Sequence, residues 1–297
     1  MNNEWIKKHQ IIWFVLISYL LASIVTIIHN VFHISFFSFD NVTAANVILW
    51  LVYAFSPTIS VFLVVSLAEG KEGVLKILRG YVRWKVHWVW YFAALILLLA
   101  PLVVGIVFFL AGASPGSSVS LTVGNVFAFI GFGLLSGPIS EEAGWRGLML
   151  PKLESKYNAL VSGLILGPIW FVWHIPLFFI EGSSQYASLQ YGVVSAVISI
   201  SIYFVLVMVI TQILTFLYNN TKGSLIITIL AHFCFNFSST LVQDSMLGLL
   251  TINTFNIVGS VLAVVYLAFI FIFYGYKKMS RKDAEDLPFQ KIANSES

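Results

Sequence analysis

The stretch SEEAGWRG at residues 140–147 brings two carboxylates and a guanidinium together in a chain that is otherwise apolar. Glu142 and Arg146 are four residues apart, which places them on one helix face with the carboxylate first, the favourable order for an ion pair. Glu141 points elsewhere and has no cation at helical spacing. A carboxylate in such an apolar position is suited to proton transfer near neutral pH. We therefore interpret Glu142 and Arg146 as structural support and Glu141 as the reactive group.

Two histidines lie inside strongly apolar segments, where ionisable side chains are rare and usually functional. His174 occurs in IWFVWHIPLFF and His232 in IITILAHFCFNF. His232 and Asn236 are four residues apart, so their side chains point the same way and could hold a developing oxyanion, a water or a metal ion. Trp170 precedes His174 by the same spacing and could pack beside the imidazole and hold its rotamer.

Each of these groups also has a simpler interpretation. The glutamates could mark the cytoplasmic end of a helix with Arg146 as an interfacial anchor, and either histidine could be a hydrogen-bonding contact between helices. Cys234 lies about 200° around a helix from His232 and is interpreted as a buried apolar residue. Motifs of other intramembrane proteases are missing, since the sequence contains no HExxH, GxSG or GxGD.

The composition indicates what must position these groups. The chain is 59% hydrophobic and 10% charged, with a mean hydropathy of +0.92, far from the composition of soluble domains. A sequence pI near 8.9 indicates basic loops that face anionic lipid, with the bilayer as partner and no nucleic acid. Eight apolar segments have about the length that crosses a bilayer: 11–30, 43–68, 86–111, 121–140, 158–180, 188–218, 223–243 and 250–276.

The basic residues are distributed on one side of these segments. All 16 Lys and Arg residues fall before segment 1, after segment 8, or in the loops that follow segments 2, 4 and 6. Because cytoplasmic loops are enriched in Lys and Arg, we predict an all-α polytopic membrane protein with eight transmembrane helices and both termini in the cytoplasm. The predicted location is a membrane that the chain crosses several times, the plasma membrane if the chain is prokaryotic.

Three motifs in this order resemble those of a known family. EEAGWR fits EExxxR, IWFVWH looks like FxxxH, and HFCFN fits HxxxN. Together they resemble the CPBP family of intramembrane proteases, the CAAX-protease and bacteriocin-processing or Abi family, which is related to the type II CAAX prenyl endopeptidase. The resemblance covers about residues 120–245. The chain departs from the family at Trp170, where members usually have Phe.

The resemblance implies a role for each reactive side chain. Glu141 would be the general base that activates a water, and His174 would help to hold that water. His232 and Asn236 would stabilise the tetrahedral oxyanion. The implied reaction is hydrolysis of a peptide bond in a membrane-embedded or lipidated peptide substrate, prenylated in the CAAX case.

The resemblance leaves the cofactor open. Members have been described both as metalloproteases and as metal-free glutamate proteases. Glu141, His174 and His232 form a candidate zinc set of one carboxylate and two imidazoles, and a metal-free mechanism stands beside it. Glu142 and Arg146 would support the site in either case.

The sequence divides into four parts on this interpretation. They are three N-terminal transmembrane helices (1–119), a CPBP-like catalytic core of helices 4–7 (120–245), helix 8 (246–278) and a polar cytoplasmic tail that we expect to be disordered (279–297).

The core poses a geometric problem. A helix that starts near residue 158 would place His174 about 24 Å along it, away from Glu141. We therefore expect helix 4 to run past Glu141, helix 5 to start deeper, or the chain to bend at Pro138, Gly167 and Pro168.

Two other classes of protein could use the same residues. A non-catalytic immunity or scaffolding protein of the same fold would bind a partner in the membrane, but the intact set of four reactive side chains argues against this alternative. An ion- or proton-coupled transporter would use the buried Glu and His, but many transporters carry an internal repeat and none is visible here.

Overall fold

A computed structural model describes residues 3–34, 43–112, 123–190, 192–241, 249–283 and 286–288. Within these ranges the regular secondary structure is helical, with no strand. The α-helices are α1 (Asn3–Lys8), α2 (Gln10–Phe32), α3 (Ala44–Ala54), α4 (Ser56–Tyr81), α5 (Trp88–Leu110), α6 (Val123–Leu135), α7 (Pro138–Gly144), α8 (Leu150–Glu154), α9 (Ala159–His174), α10 (Ser184–Leu189), α11 (Val193–Asn220), α12 (Leu225–Leu241) and α13 (Leu249–Tyr274). A π-helical segment, Trp145–Met149, joins α7 to α8, and a 3₁₀ turn, Ile175–Phe179, continues α9.

Several of these helices are long and apolar enough to cross a membrane. In the described part of the chain they are α2, α9 with its 3₁₀ continuation, and α11. Helices α3 and α4 meet at an angle of 58° and count as a fourth if they form one broken span. Shorter apolar helices cover Trp88–Leu99, Leu225–Ser238 and Gly259–Tyr274. The protein is therefore an all-helical membrane protein, while the eight spans and the cytoplasmic termini stay predictions.

The helices follow the eight apolar segments, but two predicted segments are broken. Segment 43–68 is interrupted at Phe55, and α4 then begins with Pro57 in its first turn. Segment 121–140 is interrupted after α6, and α7 begins at Pro138. Proline fits the first turn of a helix because the missing N–H has no intrahelical acceptor there. The boundaries predicted at 119/120 and 245/246 lie outside the described residues.

The break before α7 is one of the bends expected from the sequence. Ser136 and Gly137 separate α6 from α7, whereas Gly167 and Pro168 lie inside the continuous helix α9. Helix α4 binds the polar backbone of the broken region, since Tyr81 donates its hydroxyl to the carbonyl of Ile139 at 2.8 Å. Irregular backbone at membrane depth needs such partners within the protein.

The chain packs back onto the body after α13. The side chains of Met279 and Leu287 are fully buried, and the Asn220 amide donates to the carbonyl of Met279 at 2.8 Å. We predicted disorder from residue 279 onward. That disorder stays a prediction, and within residues 279–283 and 286–288 the structure shows these contacts with α11 and its surroundings.

Candidate active site

A buried ion pair forms the base of the site. Arg146 Nη1 lies 2.9 Å from Glu142 Oε1, and both side chains are fully buried. The same oxygen lies 2.9 Å from His232 Nδ1, so that Glu142 connects α7 with α12. The predicted pairing of Glu142 and Arg146 is thereby confirmed as a contact. A buried charge that is paired and hydrogen-bonded in this way fixes local geometry.

Arg146 belongs to the π-helical segment and lies against an aromatic ring. Its Cζ atom is 4.2 Å from the centre of the Trp170 ring, the arrangement of a cation–π contact. Its Nε and Nη2 atoms have no hydrogen-bond partner among the described residues. The indole face therefore takes over part of the interaction that water would otherwise supply. Irregular turns of this kind are frequent at functional sites.

Glu141 is buried and has a partner that spacing did not predict. Its Oε2 atom accepts a hydrogen bond of 2.6 Å from the Trp170 indole Nε1. The indole belongs to α9, 29 residues further along the chain. The ion pair of Arg146 is with Glu142, and one of the two Glu141 oxygens is bound by a donor from another helix.

Three polar atoms surround the space beside Gly137. A Cβ atom built on this glycine would lie 3.2 Å from Glu141 Oε1, 3.3 Å from Asn236 Nδ2 and 3.7 Å from His232 Nε2. Because these atoms lie close to one point, a water or a substrate carbonyl bound between them would meet a carboxylate, an amide and an imidazole. His232 and Asn236 therefore converge, as their spacing predicts. We did not single out Gly137 from the sequence, although the Gly-Pro pair before the motif signals a break.

His174 packs beside the Trp170 ring. Its Nδ1 atom is 2.8 Å from the backbone carbonyl of Trp170, so Nδ1 carries the proton and Nε2 is the acceptor in the neutral ring. The centre of the Trp170 ring is 5.5 Å from that of His174 and 5.3 Å from that of His232. The indole therefore packs against both imidazoles, and the predicted packing of Trp170 beside His174 is confirmed.

The arrangement does not fit the candidate zinc set. Among the described residues, no three His, Cys, Asp or Glu side chains are grouped so that they could hold a metal ion. As placed, these three side chains do not form a three-ligand site.

A cavity lies next to the motif that carries the ion pair. It has a volume of about 320 Å³ and reaches Gly147. Four basic side chains line it, Lys76, Arg79, Arg83 and Lys222, so it opens on the side predicted to be cytoplasmic. Its lining does not include any of the four candidate site residues, Glu141, His174, His232 and Asn236. This cavity therefore does not reach the candidate site.

An all-helical membrane protein with a buried glutamate, imidazole and carboxamide around one space has the groups of a hydrolase. Comparison with known families agrees with that class. The profile of the family described as type II CAAX prenyl endopeptidase Rce1-like matches residues 86–238, more than half of the chain. The chain belongs to this family. The match covers α5 to α12, with every motif on which the resemblance was based.

A curated relative agrees with the family match. The chain is 30% identical over 115 residues to CAAX prenyl protease 2 of Methanococcus maripaludis. The aligned part is 37% of this chain and 40% of that protein. The aligned part therefore spans less than half the length of the relative.

Proposed function

We propose that the protein is an intramembrane endopeptidase that hydrolyses a peptide bond in a prenylated, CAAX-type substrate. The observation that carries this proposal is the convergence of Glu141 Oε1, Asn236 Nδ2 and His232 Nε2 beside Gly137. Family membership supports the endopeptidase activity. The name of the curated relative, a CAAX prenyl protease, supports the class of substrate.

The first step is the attack of water on the scissile carbonyl. Glu141 Oε1 removes a proton from the water while the water oxygen bonds to the carbonyl carbon. His174 presents Nε2 as an acceptor for the second hydrogen, because its Nδ1 is bound to the carbonyl of Trp170. Holding the water between two acceptors aims its lone pair at the carbon.

The second step stabilises and then collapses the tetrahedral intermediate. The Asn236 amide is a donor at every pH, and His232 Nε2 donates to the oxyanion when its ring carries both protons. Glu142 holds that ring through Nδ1. When the carbon–nitrogen bond breaks, Glu141 returns its proton to the leaving amine, so the enzyme ends as it began.

The test is a cleavage assay with purified protein in liposomes. The substrates are a farnesylated CAAX peptide and the same peptide without the lipid, and we expect the farnesylated peptide to be cleaved faster. Glu141→Gln should lower kcat/KM by a factor of about 10²–10⁴, the contribution of a general base. Glu154→Gln is the matched control because it also removes a buried carboxylate, on α8 and outside the site, and it should retain activity.

The outcomes separate the candidate functions. Full activity of Glu141→Gln would contradict the assignment of the base. A folded wild type that cleaves neither peptide would contradict the peptidase proposal and leave partner binding as the function. A parallel series with a zinc chelator reports whether the chemistry needs a metal.

A further inference from the structure

Trp170 contacts the candidate base directly. The indole Nε1 of Trp170 donates to Glu141 Oε2 at 2.6 Å, whereas a phenyl ring at this position would have no hydrogen-bond donor. The indole N–H is therefore a direct contact to the carboxylate to which we assign the base.

We propose that Trp170 is a positioning residue that holds Glu141 with Oε2 bound and Oε1 turned toward the space beside Gly137. The inference rests on the proposed function, because it concerns the orientation of the base. The two oxygens have different surroundings. Oε2 accepts from the indole, whereas Oε1 is the atom that a Cβ on Gly137 would meet at 3.2 Å.

The donor can hold the carboxylate because the indole itself is fixed. Trp170 is only 2% exposed. The Arg146 guanidinium covers one region of its ring at 4.2 Å, and the His232 ring meets it edge-on at 5.3 Å and 88°. A ring packed on several sides keeps one rotamer. The N–H therefore points in a constant direction, and it limits rotation of the Glu141 carboxylate.

The bond should affect both geometry and protonation. A carboxylate without its donor samples other orientations, and misplacing a reacting group by about 1 Å can cost 10²-fold in rate. The donor also favours the ionised carboxylate, so a variant without it takes up a proton at higher pH. Hydrogen bonds to charged groups are strong enough to shift such a titration by about one to two pH units.

Trp170→Phe is the sharpest variant because it keeps an aromatic ring and removes the donor. We expect kcat to fall by a factor of about 10–100 with little change in KM. The acidic limb of kcat/KM against pH should move to higher pH by about one unit. The matched control is Trp173→Phe on the same helix, since Trp173 donates its indole N–H to Ser56 Oγ at 3.0 Å. This control should leave the acidic limb in place.

A second substitution tests the same hydrogen bond in case Trp170→Phe does not fold. Benzothienylalanine at position 170 keeps the bicyclic shape and replaces only the N–H with sulfur, and thermal unfolding in detergent reports whether each variant folds. A wild-type acidic limb and kcat in the folded variant overturn the positioning role. If Glu141→Gln is inactive in the same assay, the proposed function stands despite that result. If Glu141→Gln is active, both the positioning role of Trp170 and the proposed function are contradicted.

Discussion

Gly137 lies at the point where the polar atoms of the site converge. In Gly137→Ala the new methyl group would lie 3.2 Å from Glu141 Oε1 and 3.3 Å from Asn236 Nδ2, in the space that a water or a carbonyl needs. We expect kcat/KM to fall by about 10²-fold with little change in the melting temperature. The measurements are the liposome cleavage assay and thermal unfolding.

Gly133→Ala is the control for this substitution. Its added methyl would meet an aromatic carbon of Phe233 at 3.2 Å, a contact of similar tightness at a position on α6. It should change activity little. Full activity of Gly137→Ala would mean that the reacting atoms lie somewhere other than beside this glycine.

Residues four apart could be predicted because helical geometry is local. Glu142 contacts Arg146, and His232 and Asn236 both approach one point beside Gly137, as their spacing predicts. The bond from Trp170 to Glu141 and the bond between His232 and Glu142 were not predictable in this way. They join residues 29 and 90 positions apart, and only the packing of whole helices decides which side chains meet across such distances.

At the scale of elements, α7 approaches α2 so closely that Gly144 has no room for a side chain. A Cβ there would lie 2.5 Å from the ring of Phe14, and that ring packs edge-on against Trp145 at 4.9 Å. Gly144→Ala should lower the stability by about 1–3 kcal/mol, the usual effect of overpacking. Phe14→Leu in the same chain should recover part of the loss, as measured by thermal unfolding in detergent.

The control is Gly131→Ala in α6, where an added Cβ would meet nothing within 4 Å. It should leave stability nearly unchanged or raise it, because alanine is the better helix former. If Gly144→Ala melts like the wild type, α2 and α7 are farther apart than described.

The breaks in the helices show why hydropathy alone predicts spans better than their shapes. An apolar segment such as 43–68 has the same average hydropathy whether or not its helix is interrupted at Phe55. Pro57 and Pro138 signal both breaks in the sequence, but each also fits a straight helix start. The bend of 58° between α3 and α4 depends on neighbouring helices, and the sequence alone does not show which helices pack against α3 and α4.

At the scale of the whole molecule, the eight-span topology can be tested by labelling. The single cysteine, Cys234, is first replaced by alanine, and one cysteine is then placed at Lys7, Glu181 or Lys277. In sealed vesicles whose outer face is the predicted extracytoplasmic side, an impermeant maleimide should label Glu181→Cys. Lys7→Cys and Lys277→Cys should react only after the membrane is opened, and labelling of either in intact vesicles would contradict the predicted topology.

A second property of the whole molecule is the response of its stability to pH. Glu154 Oε1 accepts from the Asn219 amide at 2.7 Å, which ties α8 to α11. Burial raises the pKa of Glu154 to about 8, against an ordinary value of 4.5. Glu154 Oε2 and Asn219 Oδ1 have no partner among the described residues, and a proton on Oε2 would supply a second bond.

The sign of the effect follows from proton binding. Between about pH 4.5 and pH 8 the folded protein keeps this proton and the unfolded chain releases it, so the free energy of unfolding falls as pH rises. The slope is at most about 1.4 kcal/mol per pH unit. Glu154→Gln should flatten the dependence of the melting temperature on pH, whereas Glu72→Gln, which alters an exposed carboxylate, should not. An unchanged slope in Glu154→Gln would show that Glu154 is ionised in the folded protein.

The contact between Glu142 and His232 also has a consequence for biosynthesis. The two residues are 90 positions apart, so the ribosome makes α7 long before α12 emerges. Until then, the glutamates and Arg146 lie in the membrane without the imidazole and the amide that complete the space beside Gly137. A nascent chain, or one truncated ahead of α12, therefore lacks His232 and Asn236, two of the four side chains to which we assign the proposed hydrolysis. On the proposed function, cleavage can begin only after α12 has been synthesised and inserted.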